Sequence, residues 1–252
     1  MCACVRTQHV TCPANLHPRN ELTVASFGLI GGLGPESTVD YYRRILEEWV
    51  KIDTSSSPHI VIDSLDVDYG LSLVEHDRPK LVEYLIESAR RLAAAGCDFA
   101  AMAANTPHVV FDDLVARSPI PLISIVEAAA EEAKRRGMKR VGLLGTRFTM
   151  EGSFYPDVLA RHGIECVTPD QREITWIHDR YIGQMLRGDF REETRDGVIG
   201  IILRLGNEER IDGVILGGTE LTILLSASSI GGVPALDTTE LHVSAIVKRL
   251  HD

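Results

Sequence analysis

The stretch TVASFGLIGGLGPESTVDYYRRILEEWV, residues 23–50, decides the fold. It begins with an apolar run that predicts a strand over residues 23–30, which Gly31-Gly32 would end. Apolar residues then recur at helical spacing and predict one buried stripe on a helix, made of Val39, Tyr42, Ile45, Leu46, Trp49 and Val50. A strand, a glycine turn and a helix in this order form the first part of a βαβ unit.

The same alternation continues along the chain. Further strands are predicted over residues 60–62, 98–104, 121–125, 141–145, 164–167, 212–217 and 234–236. Helices are predicted between them over residues 79–95, where Gly96 ends the helix, and over 151–162, 172–187, 191–205 and 238–250. A further helix is predicted to end near Gly137. Strands separated by helices predict an α/β protein whose mainly parallel sheets carry helices on both faces.

The two halves of the chain resemble each other. Residues 28–32, GLIGG, match residues 142–146, GLLGT, and similar pairs follow in both halves. We therefore predict two similar lobes, with a ligand cleft between them at the carboxyl ends of the strands. The predicted first lobe is 22–122 plus 236–252, the second is 123–235, and residues 1–21 form a flexible N-terminal tail.

Composition excludes several classes of protein. The chain has 252 residues, 44% of them hydrophobic, and a net charge of −10, which argues against a nucleic-acid or membrane-surface binder. No apolar run approaches the roughly 20 residues that cross a bilayer. Cys2, Cys4 and Cys12 with His9 could be drawn as a metal cluster, but an unstructured tail is the favoured interpretation. We predict a cytoplasmic protein with reduced thiols and no metal.

The glycine loop after the first strand has two open interpretations. Gly32 and Gly34 fit a dinucleotide-binding pattern, but Ser37 stands at its third glycine, and no Lys-Ser/Thr pair follows as a phosphate loop would need. The loop is either a tight turn or a site whose backbone N–H groups bind a carboxylate at a helix start.

Five stretches, in one order along residues 27–245, carry a specific resemblance: 31–38 with Tyr41-Tyr42, 105–108, 142–150, 216–221 and 236–242. The chain resembles the aspartate/glutamate racemase family, nearest its aspartate racemase branch. The resemblance implies a cofactor-free, PLP-independent enzyme, often a homodimer, that binds an amino acid or dicarboxylate between two α/β lobes. In that family one thiolate removes the α-proton, while a second thiol returns a proton to the opposite face.

This chain lacks both thiols. The two cysteine positions are Ala104 and Gly218, and neither residue can carry a proton. Cys97 begins the strand that Ala104 ends, which places it roughly 23 Å away at ~3.3 Å per residue. Cys166 follows a different strand, and nothing in the sequence aims it at the cleft.

Other residues in the matching loops become the candidates. Glu220 is the ionised group beside a missing cysteine, and it is either a base or a carboxylate that bonds its own helix start. His108 could titrate near neutrality, although packing or capping is the more usual role at its position. The candidate substrate-binding residues are Gly32, Asn105, Thr106, Thr146, Thr149, Thr219, Glu220, Arg180 and His59. Arg147, His178 and Asp179 are further candidates for the cleft.

Three hypotheses remain open from the sequence. The first is a family enzyme that uses groups other than cysteine for an isomerisation, a lyase reaction or a one-sided proton transfer. The second is a carboxylate-binding pseudoenzyme. The third, deliberate replacement of both thiols in a working racemase, fits Ala104 but not Gly218, because knockouts use Ser or Ala. The retained loops favour the first hypothesis.

Overall fold

The computed structural model describes residues 25–252, so the predicted tail and its cysteines lie outside the described residues. The first half of the chain forms a four-stranded sheet and its helices. These elements are β1 (Ser26–Gly31), α1 (Pro35–Val50), β2 (His59–Ser64), α2 (Val67–His76), α3 (Arg78–Ala94), β3 (Phe99–Met102), a 3₁₀ turn (Thr106–Val110), α4 (Phe111–Arg117) and β4 (Leu122–Ile123). The strands are parallel, in the order β2-β1-β3-β4.

The second half repeats this arrangement and adds a short edge strand. Its elements are α5 (Ile125–Arg135), β5 (Arg140–Gly145), α6 (Arg147–Met150), α7 (Phe154–Arg161), β6 (Glu165–Val167), α8 (Gln171–Gly183), a 3₁₀ turn (Met185–Arg187), α9 (Glu192–Arg204), a π turn (Leu205–Glu209), β7 (Gly213–Gly217), α10 (Thr219–Leu225), β8 (Ser229–Ile230), β9 (Val233–Asp237) and α11 (Thr238–His251). The strand order is β6-β5-β7-β9-β8, parallel except for β8. The predicted α/β class with two similar sheets is confirmed.

Helices α5 and α11 each follow a strand of one sheet and pack against the other sheet. Helix α5 follows β4 but packs with α7 on the second sheet, where Ile125 and Ala129 contact Val141 and Leu143 in one buried cluster. Helix α11 follows β9 but packs with α1 on the first sheet. The predicted boundaries of the two lobes, 22–122 plus 236–252 and 123–235, remain a prediction.

The buried stripe of α1 differs from the predicted one. Tyr41, Ile45 and Trp49, spaced by four residues, are almost fully buried against the first sheet and α11. Val39, Tyr42 and Val50 were predicted in this stripe but are 54%, 45% and 57% exposed. The apolar residues of this helix cover more than one face. The face that carries Tyr41 and Trp49 packs against the sheet.

Two helical regions also differ from prediction. Helix α2, Val67–His76, was not predicted, because Gly70 interrupts its apolar pattern, although the side chain of Asp66 caps its first turn. The helix predicted over 151–162 is the shorter α7 (Phe154–Arg161), and a separate short helix, α6 (Arg147–Met150), lies before the predicted bounds. Gly152 lies between them, where a side chain would lie 2.6 Å from the Phe148 carbonyl oxygen. No helix among residues 25–252 is long and apolar enough to cross a bilayer.

Candidate functional site

The carboxyl ends of β1, β3, β5 and β7 meet at one cleft between the two sheets. Residues that follow these strands line a cavity of about 30 Å³, among them Leu33, Ala104, Thr146 and Thr219. Such a volume holds about two water molecules. The structure therefore places the loops that follow β3 and β7 together, as predicted, around a small cleft.

Tyr181, on α8, fills the space beside Gly218. A Cβ atom built on Gly218 would lie 2.5 Å from Tyr181 Cε2 and 2.7 Å from its hydroxyl oxygen, closer than real contacts allow. The backbone of Gly218 is extended (φ −160°, ψ 125°), so conformation alone would admit any residue. The tyrosine ring and hydroxyl thus occupy the volume that a cysteine side chain at this position would take.

Glu220 is a buried carboxylate held by three hydroxyl groups. It is 2% exposed, and its Oε1 accepts a hydrogen bond from Ser37 Oγ at 2.7 Å. Its Oε2 accepts from Thr219 Oγ1 at 3.0 Å and from the hydroxyl of Tyr181. Within residues 25–252 no lysine, arginine or histidine forms an ion pair with it. A carboxylate has about four acceptor positions, so one remains for a ligand.

Tyr181 acts in this pair as a hydrogen-bond donor. Burial, followed by the neighbouring Glu220 carboxylate, raises the pKa of Tyr181 well above its ordinary value. The phenol therefore keeps its proton at neutral pH and holds the carboxylate in place. Glu220 then remains the group of this corner that can accept a proton.

The glycine loop contacts a carboxylate, which is the side chain of Glu220 from the same protein. A Cβ atom on Gly34 would collide with Glu220 Oε1, so the second lobe inserts this side chain against the first turn of α1. The N–H of Gly32 donates to Thr38 Oγ1 at 2.8 Å. Gly32 was predicted to bind substrate, but its N–H is used internally, and its φ of +76° serves a tight turn against Leu65.

The loop after β3 uses its asparagine to join the lobes. Asn105 Oδ1 accepts from the Tyr155 hydroxyl at 2.6 Å, and its Nδ2 donates to Thr238 Oγ1 at 3.2 Å. Thr238 donates in turn to the Leu216 carbonyl oxygen at 2.7 Å. Ala104 lines the cleft beside this network and offers a methyl group to it.

We expect Tyr155→Phe to lower the free energy of unfolding by about 1–2 kcal/mol, because Asn105 Oδ1 would lose its buried donor. Tyr155 is fully buried, whereas Tyr42 is 45% exposed and provides the matched control Tyr42→Phe. Urea unfolding of both variants measures the difference. Equal stability of the two variants would show that the Asn105 bridge contributes nothing.

A cluster of threonine hydroxyls lies on the other side of the cleft. Thr106 Oγ1 is 2.9 Å from Thr146 Oγ1 and 3.4 Å from Thr149 Oγ1. Thr146 also caps α6 by accepting from the Thr149 N–H at 3.3 Å. Thr106 and Thr146 line the cavity together with Glu220, so neutral hydroxyls and a carboxylate share one cleft.

His108 is a buried neutral histidine outside the cleft lining. Burial, with a smaller effect of His242, lowers its pKa to about 3. Its ring stacks on Phe111 with centroids 4.6 Å apart, and both ring nitrogens are buried without a hydrogen-bond partner. The proposed titration near neutrality is wrong for the folded protein, and the packing interpretation fits its position.

Two predicted substrate contacts lie away from the cleft. His59 begins β2, at the amino end of the sheet, where its Nδ1 is 2.5 Å from Ser26 Oγ. The Arg180 guanidinium stacks on Trp176, 3.9 Å from the ring centroid. Among the other candidates, the Arg147 guanidinium lies over Phe148, and His178 accepts from the Arg147 N–H at 3.2 Å. In each case a neighbour on the same or an adjacent element holds the side chain.

Comparison with known proteins identifies the family and the fold. The sequence profile described as Asp/Glu/hydantoin racemase matches residues 30–246. The chain belongs to this racemase family. The broad specificity amino-acid racemase RacX of Bacillus subtilis (strain 168) is 30% identical over 148 residues. These are 57% of this chain and 64% of RacX, so the match spans less than two thirds of that relative.

Two solved structures of the racemase family cover almost the whole fold. A protein from Yersinia pestis assigned as an Asp/Glu racemase is 34% identical with a TM-score of 0.80, over 90% of this chain and 100% of the other. An aspartate racemase homologue from Pyrococcus horikoshii OT3 is 31% identical with a TM-score of 0.76, over 90% of this chain and 99% of the other.

This family member has no thiolate at its cleft within the described residues. Burial raises the pKa of Cys97, and it raises the pKa of Cys166 to about 12. Neither side chain lines the cavity. Within residues 25–252 no group of three or more His, Cys, Asp or Glu side chains could hold a metal ion.

Sequence reasoning missed Tyr181, which fills the space beside Gly218. In the sequence it stands only as the neighbour of the candidate Arg180. Its partner Glu220 is 39 residues away, and Ser37 reaches the same carboxylate across 183 residues. No local pattern encodes such contacts.

Proposed function

We propose that the protein is a PLP-independent member of this isomerase-type family that exchanges the α-proton of an amino acid or dicarboxylate at one face, or uses the same proton transfer in a lyase reaction. The observation that carries the proposal is the Tyr181–Glu220 pair, which lies beside Gly218, the position that the resemblance assigns to the second thiol. A carboxylate held in place inside a small cleft is suited to general base catalysis, which contributes about 10²–10⁴-fold.

The proposed step balances without a cofactor. Glu220 accepts the α-proton of the bound ligand and becomes a carboxylic acid, while the electron pair of the C–H bond passes into the ligand's carboxyl group. The hydroxyls of Thr106 and Thr146 lie 2.9 Å apart and line the same cavity, and in the proposed step they turn from each other to donate to that carboxyl group and stabilise its added charge. The proton, or one exchanged with solvent, then returns to the same face.

Inversion is not expected from this arrangement. The position that the resemblance assigns to the first thiol is Ala104, which also lines the cavity and whose methyl group can neither give nor take a proton. Exchange with retention, or a lyase reaction that ends in protonation from one side, needs only one acid–base group. The proposed activity therefore does not include racemisation by two thiols.

One observation favours a second candidate, a carboxylate-binding protein without turnover. The cavity holds about 30 Å³, and the protein's own Glu220 already occupies the glycine loop. A ligand must therefore widen the cleft before it binds. Under this alternative, amino acids or dicarboxylates raise the melting temperature by mass action but exchange no proton.

The test is α-proton exchange in deuterated water, followed by proton NMR for each enantiomer of a panel of amino acids and dicarboxylates. We expect exchange that falls at least about 100-fold in Glu220→Gln, which keeps the shape but removes the base. Thr222→Ser, on the same helix α10 and outside the cavity lining, is the matched control and should keep its rate. Stabilisation by ligands without exchange would leave the binding protein as the function.

The resemblance also implies a homodimer and independence of PLP, and composition suggests a cytoplasmic location. We keep these as parts of the proposal. Light scattering during size-exclusion chromatography tests the dimer, and an absorbance scan of purified protein near 420 nm tests for bound PLP.

A further inference from the structure

We propose that the cleft takes an α-amino acid with an aliphatic side chain and discriminates against aspartate and glutamate. This inference rests on the proposed function, because it concerns the ligand of the same site. It narrows the broad class of amino acids and dicarboxylates to one kind of side chain.

Aliphatic side chains form the wall of the cavity that faces the polar loops. Helix α2 contributes Val67, Leu71 and Val74, which lie on one helical face because they are spaced by four and three residues. The rest of the wall comes from Leu33, Leu81 and Leu186. A ligand side chain that widens the cleft on this side meets hydrocarbon, so an apolar side chain gains from burial.

No positive charge lines the cavity within residues 25–252. Arginines on neighbouring elements are held by other partners. Arg187 pairs with Asp68 at 2.8 Å, and Arg147 approaches Glu75 at 4.0 Å. A second ligand carboxylate would enter an apolar wall without a counter-charge, which is a costly way to bury an ion.

The polar groups of the cleft complement the α-carbon and the α-carboxylate of an amino acid. Glu220 has one acceptor position left after its three hydroxyl donors, and the proposed proton transfer uses it. The hydroxyls of Thr106 and Thr146 line the same cavity and suit the α-carboxylate. The negative charge of Glu220 also repels a side-chain carboxylate.

Leucine, asparagine and aspartate test the inference, because all three branch at Cγ and differ mainly in polarity and charge. Thermal shift and α-proton exchange are measured for both enantiomers. We expect half-saturation by leucine at a concentration at least tenfold lower than by aspartate, with asparagine between them. Aspartate binding as tightly as leucine, or no stabilisation by any of the three, would overturn the inference.

The two readouts separate the inference from the proposed function. Leucine that stabilises the protein without exchange supports the aliphatic preference and overturns the proposed enzymatic activity. Aspartate that exchanges faster than leucine overturns the preference and supports the activity.

A charge added to the wall provides an independent check. Leu186 is partly buried at the cleft, so Leu186→Lys should move the leucine-to-aspartate affinity ratio at least tenfold toward aspartate. The control Val115→Lys places the same charge at a 47% exposed position on α4 and should leave the ratio unchanged. Equal ratios in the two variants would contradict the assignment of the wall.

Discussion

The double variant Ala104→Cys/Gly218→Cys is expected to remain without racemase activity, although it restores both thiols. The side chain added at 218 would collide with Tyr181, whose Cε2 lies 2.5 Å from the new Cβ position. Tyr181 would have to leave its buried place and give up its hydrogen bond to Glu220. The second thiol would then stand in a rearranged cleft rather than at a formed site.

The single variants separate the two corners of the cleft. Gly218→Cys should lower the free energy of unfolding by about 3 kcal/mol, through overpacking and the lost charge-assisted hydrogen bond. Ala104→Cys adds one sulfur atom beside the cavity and should stay within about 1 kcal/mol of the parent protein. Urea unfolding measures both values, and chiral chromatography of aspartate, glutamate and leucine measures racemisation.

A third substitution tests the steric reason. Tyr181→Leu, added to the double variant, removes the ring edge and the hydroxyl that block position 218. Racemisation that appears in the triple variant alone would support the account. Racemisation by the double variant, with Gly218→Cys as stable as Ala104→Cys, would contradict it.

The second large effect is loss of stability in mild acid. His108 and His242 are fully buried, and burial lowers their pKa values from 6.5 to about 3 and about 4. His242 is held neutral between the Tyr41 hydroxyl at 2.8 Å from Nδ1 and the Ile123 carbonyl oxygen at 3.1 Å from Nε2. The unfolded chain therefore binds more protons than the folded protein between about pH 4 and pH 6.5.

Because the unfolded chain binds more protons, the free energy of unfolding decreases as the pH falls. The contribution of both histidines is fully present above about pH 6.5 and is lost as the pH falls towards their folded pKa values. At about pH 4.5 the loss should reach about 3–5 kcal/mol for the pair, since each pKa unit corresponds to about 1.4 kcal/mol. Urea unfolding between pH 7.5 and pH 4.5 measures it.

One histidine can be removed without breaking a hydrogen bond. The ring nitrogens of His108 have no partner, so His108→Leu should keep stability at pH 7.5 and reduce the slope of stability with pH by about half. His76→Leu is the control, because the His76 side chain is 72% exposed. A slope that His108→Leu leaves unchanged would show that another group causes the acid lability.

The strand and glycine patterns were enough to predict the strands that end at the cleft, but not α2, which lines it with Val67, Leu71 and Val74. The predicted strands at 141–145 and 212–217 lie within one residue of β5 and β7, and the last helix was predicted within one residue of its observed end. These signals are local, since apolar runs, glycine turns and cap residues act over a few positions. Thr106, Thr146 and Glu220 each follow a predicted strand, and strands of parallel sheets end at the same edge. The lining of one cavity contains all three, as expected.

The missing parts are those that depend on distant partners. The sequence shows that Gly218 lacks a thiol, but only the fold shows that Tyr181 takes its volume. Likewise, Gly32 was predicted to offer its N–H to a ligand, whereas Thr38 already accepts it. Asn105 was predicted to bind substrate and lines the cavity, but only the fold shows that its amide also bonds Tyr155 and Thr238. Whether a polar group is free depends on such tertiary contacts.

The configuration of the exchanged product tests the one-face account most directly. The amino acid that exchanges fastest is incubated in deuterated water, and chiral chromatography with mass spectrometry then reads deuterium and configuration in each molecule. The account predicts deuterium at Cα with the original configuration retained, and loss of this exchange in Glu220→Gln. Deuterated product of both configurations, or exchange that persists in Glu220→Gln, would contradict it.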